Sequence, residues 1–171
     1  RSVSRGLGDV YKRQLDEDSY LEMDTIQLRG VDRTTRSTSA VLGKGAKIVV
    51  RERIMTDGDE EAVTKFHVEL NGEDSGADLV SRSVARGNSH QAFYSVVEGN
   101  NRCTGHSACD AILADNGKVD AQPALNAANV DAALIHEAAI GKIAGEQILK
   151  LCSLGLTREE AEEKIIEGFL K

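Results

Sequence analysis

From Tyr20 to Leu134 no stretch repeats apolar residues at helical spacing for long enough to build a helix. Short runs of alternating polarity fill this region instead, each closed by Gly, Asn or Asp. Candidate strands cover 20–28, 40–53, 62–70, 77–85, 91–97, 102–113, 118–125 and 130–135, with breakers such as Asp57-Gly58, Asn71-Gly72, Gly87-Asn88 and Asn116-Gly117. A chain punctuated in this way is committed to an all-β core. Asn-Gly at 71–72 and 116–117 suits hairpin turns and an antiparallel sandwich. Strand recurrence every ten to fifteen residues or so suits a solenoid, in which neighbouring rungs pack closely over small side chains. The run Arg102–Leu113 is the best example of such packing. One face carries Cys103, Gly105, Ser107, Cys109, Ala111 and Leu113; the other carries Arg102, Thr104, His106, Ala108, Asp110 and Ile112. Periodicity alone leaves both architectures open.

The character changes at His136. Ile140, Ile143, Ala144, Gln147, Ile148 and Leu151 read as a helical stripe stopped by Gly155. A second helix opens after Thr157, whose spacing to Glu160 is that of a capping box. The expected division is therefore a β core over 15–135 and a helical segment over 136–171.

Residues 1–14 stand apart, with five charged residues, two glycines and no hydrophobic period. Asp9–Gln14 (DVYKRQ) is what GAT GTG TAT AAG AGA CAG encodes, which resembles a transposase mosaic-end sequencing adapter. This segment is expected to be non-native and outside the fold, with the native chain beginning before Leu15.

The 171 residues suit one domain, and their net charge of −7 argues against nucleic acid or an anionic membrane as partner. Three cysteines without a CxxC pair make neither a disulfide framework nor a zinc ribbon, and a reducing cytoplasm is the expected compartment. No Walker loop, GxGxxG, HExxH or GxSxG occurs, so no nucleotide is expected on this chain. Cys103 and Cys109 read first as buried thiols of a β core. His106 and Cys109, three apart, fall on opposite faces of a straight strand. His67 and His90 read as an ordinary strand residue and a turn residue. His136-Glu137 is better placed, at an expected strand-to-helix junction where a carboxylate or helix-terminal amides can hold an imidazole.

Gly105–Ile112 (GHSACDAI), His136–Ile143 (HEAAIGKI), Glu146-Gln147 and Gly155-Leu156 resemble the SufB/SufD family of iron–sulfur cluster assembly proteins in its short form. Gln27–Asp32 and Ser81–Ala85 are similar to the same family. The resemblance implies a mainly β fold, a right-handed parallel β-helix followed by a small C-terminal α-helical domain. It implies a non-catalytic scaffold that pairs with a second SufB/SufD-like subunit and with a SufC-type ABC ATPase docked on the C-terminal helices, and a transient iron–sulfur cluster at the subunit interface. His136 matches the family's interface histidine and Glu137 the glutamate after it, which makes both candidate iron ligands; Cys109 is a weaker third. Two departures weaken the case for independent cluster binding and put a SufD-like or minimal-scaffold role at least level with a SufB role. Ile135 stands where SufB-type chains have glutamate, and the cysteine expected near Asn116-Gly117 is missing. The alternative is a structural or interaction β-solenoid that binds no cluster.

Overall fold

The computed structural model describes residues 6–171. Ten strands alternate between two parallel sheets: β1 (Gly6–Leu15), β2 (Tyr20–Leu28), β3 (Arg33–Leu42), β4 (Lys47–Thr56), β5 (Glu61–Leu70), β6 (Ser75–Ala85), β7 (His90–Gly99), β8 (Cys103–Leu113), β9 (Lys118–Ala127) and β10 (Ala132–Gly141). Odd strands form one sheet in the order β1-β3-β5-β7-β9, and even strands form the other in the order β10-β8-β6-β4-β2. The chain is thus a parallel β-solenoid of about five turns followed by two helices. Arg33 lies opposite Glu61, Glu61 opposite His90 and His90 opposite Lys118, so one coil takes about 28 residues.

Parallel pairing stacks like positions into rows, and alternation sends every second residue into the lumen. Leu42, Leu70, Ile48, Val50, Leu79, Val68 and Val97 fill that lumen, and Phe66 meets Phe93 edge-on at 5.8 Å. Both Asn-Gly pairs form corners between coils rather than hairpins. A Cβ at Gly72 would lie 2.0 Å from the Gly43 backbone, and one at Gly117 would lie 2.2 Å from the Ala85 carbonyl oxygen. The corners therefore need glycine because successive coils touch there, and asparagine adds a ladder, with Asn100 Nδ2 donating to Asn71 Oδ1 at 2.7 Å.

Three expectations are corrected. Residues 6–14 are not outside the fold, since Gly6–Leu15 pairs in parallel with β3 along its whole length and buries Leu15; residues 1–5 lie outside the described part. Main-chain pairing makes little demand on side chains, so a segment without a hydrophobic period can extend a sheet whatever its origin. The run 40–53 is two strands with a corner at Gly43–Ala46. Finally, β10 continues to Gly141, so the helical segment starts nine residues later than the sequence suggested and Ile140 is a strand residue.

The helices are α1 (Gly145–Ser153) and α2 (Arg158–Phe169). The capping box is present: the Glu160 amide donates to Thr157 Oγ1 at 3.2 Å, and the Thr157 amide donates to Glu160 Oε2 at 2.8 Å. Gly155, with φ +99°, ends the first helix. Ile166, Phe169 and Leu170 pack on Met55, Val84 and Ile112, which point outward from the even sheet. The helices therefore lie on a flank of the solenoid and leave β9 and β10 largely exposed. No helix among the described residues is long and apolar enough to cross a membrane.

Candidate metal centre

His136 and Glu137 both lie inside β10, opposite Ser107 and Ala108 of β8. Because they are adjacent in a strand, they point to opposite faces. His136 faces the lumen beside Ser107, whose hydroxyl donates to Ser95 Oγ across the interior at 2.9 Å. Glu137 faces solvent, with its side chain 71% exposed. The two candidate ligands therefore cannot close on one ion from a single face of the sheet, and each has its own neighbours.

On the lumen side, neither His136 Nδ1 nor Nε2 touches solvent, and neither has a hydrogen-bond partner. Burial, the largest influence, pushes this imidazole below its ordinary pKa, and the charge of His106 adds to the effect. The Ser107 main chain and Glu137 act the other way; the Ser107 backbone is near enough to favour the protonated ring without completing a hydrogen bond. The ring is thus held neutral, the form in which imidazole ligates metals. Cys109 lies opposite Ala138, two residues along the same inward face. Strand spacing puts its Cα about 8 Å from that of His136. Its thiol is buried and its pKa is pushed up to about 12, chiefly by desolvation and then by the charges of Asp110 and Glu52. Left to itself it is a protonated core thiol. The Asn116-Gly117 corner lies beyond the far end of β8. A cysteine there would not reach His136, whereas the inward position held by Cys109 is on the adjacent strand.

On the outer side, His106 joins two carboxylates. Its Nδ1 is 2.7 Å from Asp78 Oδ1, and its Nε2 is 3.6 Å from Glu137 Oε2. Asp78 stands directly opposite His106 on β6, one coil back. The Asp78 hydrogen bond, ahead of the other influences, raises the His106 pKa. A raised histidine contributes stability that is complete below the ordinary imidazole value of 6.5 and is lost as pH rises through the folded value. Asp78→Asn is therefore expected to lower the melting temperature more at pH 5.5 than at pH 8.5. Equal lowering at both pH values would contradict this assignment.

As the alternation rule required, His106 and Cys109 occupy opposite faces. His90 is an outer-face residue, with its Nε2 2.7 Å from Asp120 Oδ2. Sequence reasoning did not link Asp78, His106 and Glu137. The signal was available in their spacing, because a residue and its neighbour on the next coil are about 28 positions apart.

A family model described as "SUF system FeS cluster assembly, SufBD core domain" matches residues 9–169. The chain belongs to the SufBD family. Proteins named as iron–sulfur cluster assembly SufBD family members are similar to it. One from Archaeoglobus fulgidus is 38% identical over 72% of this chain and 32% of its own length. One from Pyrococcus horikoshii is 32% identical over 77% of this chain and 40% of its own. A third, from Methanocaldococcus jannaschii, is 28% identical over 93% of this chain and 51% of its own. The chain thus spans about a third to a half of these SufBD relatives, and it carries the core-domain β-solenoid that places His136, Cys109, His106 and Glu137 around its final coil.

Proposed function

We propose that this SufBD chain is a non-catalytic scaffold component of iron–sulfur cluster assembly in the cytoplasm. In this reading it holds nascent iron–sulfur cargo at the exposed end of the solenoid, where a second SufB/SufD-like subunit closes over the last coil. His136 carries the reading: a neutral, half-buried imidazole whose two nitrogens are shielded from solvent and unpartnered, on the outermost strand of the even sheet. Buried polar groups are almost always satisfied, so an orphaned ring at a sheet edge marks a place where something else binds. Imidazole nitrogen suits iron, and Cys109 becomes a soft thiolate ligand once an ion displaces its proton. Glu137 and His106 supply a second donor pair on the outer side of the same strands.

The unpaired edges of β9 and β10 favour a partner subunit, because an open parallel edge offers a row of free main-chain groups. The helical hairpin leaves Leu149 70% and Leu154 71% exposed, an apolar contact for a SufC-type ABC ATPase that would supply the nucleotide chemistry. Full-length protein co-expressed with a SufC-type ATPase of the same source is expected to co-purify with it. No co-purification either with or without ATP would overturn the partnership.

A further inference from the structure

The odd-numbered sheet carries a second group of metal-ligating side chains on its outer face, away from the strands that hold His136. His67 and Glu69 lie two apart on β5 and so share a face; Glu98 lies directly opposite Glu69 on β7. His67 Nε2 is 3.6 Å from Glu98 Oε1. One donor atom from each of the three lies within 4.8 Å of the other two. We propose that His67, Glu69 and Glu98 form a binding site for a divalent first-row transition ion that clamps two successive coils of the solenoid.

The charge pattern supports an ion here. Several other exposed carboxylates are met by arginine, Glu61 by Arg33 and Glu22 by Arg51 between strands and Glu73 and Asp74 by Arg102 at a corner. Glu69 and Glu98 are placed the other way, with like charges opposed in register and a position that destabilises a ladder unless a cation answers it. Their row continues into Val41 on one side and Asn126 on the other, both uncharged. Lys65, the cation on the same face of β5, extends over the Tyr94 ring at 5.9 Å. Among the described residues no Lys or Arg pairs with either glutamate.

The donor set narrows the ion. Two carboxylates alone would suit calcium or magnesium, whereas a carboxylate pair with an imidazole suits zinc, cobalt, manganese or ferrous iron. Two donors each about 2.1 Å from one ion stand roughly 3 to 3.5 Å apart, so the His67–Glu98 pair needs to close by only a few tenths of an ångström. All three donors sit on paired strands of a rigid sheet, and positions toward solvent remain for water.

The test uses untagged, metal-free full chain carrying His136→Ala and Glu137→Gln in every sample, so that both donor pairs proposed around β10 are broken. The site is read only from what His67→Ala and Glu98→Gln change, which is independent of the scaffold reading. Cobalt(II) is titrated and followed by visible absorption and by calorimetry, then zinc by melting temperature. One equivalent of cobalt is expected to bind, with affinity falling at least tenfold on His67→Ala and on Glu98→Gln. The metal-free Glu98→Gln chain should be at least as stable as its parent, since a like-charge contact is gone, while the zinc-dependent rise in melting temperature disappears. Cobalt binding that neither substitution weakens would overturn the site. So would the absence of binding at millimolar cobalt.

Discussion

Glu52→Ala is expected to destabilise the solenoid by about 3–5 kcal/mol, because it strands a buried cation. Arg36 and Glu52 face each other across the lumen, with Arg36 Nη1 donating to Glu52 Oε1 at 2.8 Å and their side chains 8% and 0% exposed. Ser81 Oγ donates to the other Glu52 oxygen at 3.0 Å. Arg36 Nε has no hydrogen-bond partner, and its nearest further carboxylate is Asp9, at 4.0 Å. Removing Glu52 would leave that guanidinium without its principal counter-charge in a dry interior. Replacing both partners, as Arg36→Met with Glu52→Leu, should return stability close to the parent, since neither charge then has to be desolvated. Glu52→Gln should fall between, because the amide oxygen can still accept from Arg36.

The pH dependence has a definite sign. Desolvation pushes the Glu52 pKa up, with Arg36 offsetting only part of the effect. A carboxylate raised in the fold binds its proton more tightly there than in the unfolded chain. Its contribution is therefore complete at acid pH and declines as pH climbs from the ordinary value of 4.5 through the folded one. The advantage of the parent over Glu52→Gln should accordingly shrink from pH 4 to pH 7. Urea midpoints across the series decide the matter; Glu52→Ala within 1 kcal/mol of the parent, or the double variant as weak as the single, would refute the pairing argument.

The same polar lumen explains where the sequence could and could not be read. β2 and β5–β9 were legible because each joins an alternating run to a Gly or Asn corner, and the second helix because its capping box is local. β3 was not legible as a whole, since its inward positions include Thr34, Arg36 and Thr38, polar residues that an alternation argument assigns to solvent. Their partners lie on the neighbouring strands across the lumen, Gln27 on β2 for Thr34 and Glu52 on β4 for Arg36, so alternation within β3 alone does not reveal them. The coil period was hidden for a related reason. It is kept by main-chain stacking at corners such as Gly43–Gly72, so the side chains need not repeat. At the candidate site the residue types were legible but their faces were not. Reading helix from His136 onward withheld the strand rule from His136-Glu137, although the same rule had already separated His106 from Cys109.

That separation of faces makes the second large effect specific. His136→Ala is expected to lower iron–sulfur charge-transfer absorption at least tenfold when the full-length protein is reconstituted anaerobically with iron, sulfide and the proposed partner subunits. The imidazole removed makes no hydrogen bond, so its loss orphans no other group, and the melting temperature should move by only a few degrees. A collapse of absorption without a collapse of fold would then report ligation. His90→Ala is the matched control, since it removes an imidazole from the outer face of the other sheet, where its partner is Asp120. Cys109 adds a dependence that His136 lacks. Its thiol is protonated at neutral pH, so if it joins the cargo the yield should rise with pH as the proton becomes easier to displace, and Cys109→Ser should flatten that rise. Glu137→Gln should cost less than His136→Ala, because Glu137 points to the outer face, with His106 as its nearest donor partner. Undiminished absorption in His136→Ala would remove the lumen face from cluster assembly, and a deeper loss in Glu137→Gln would move the site to the outer pair.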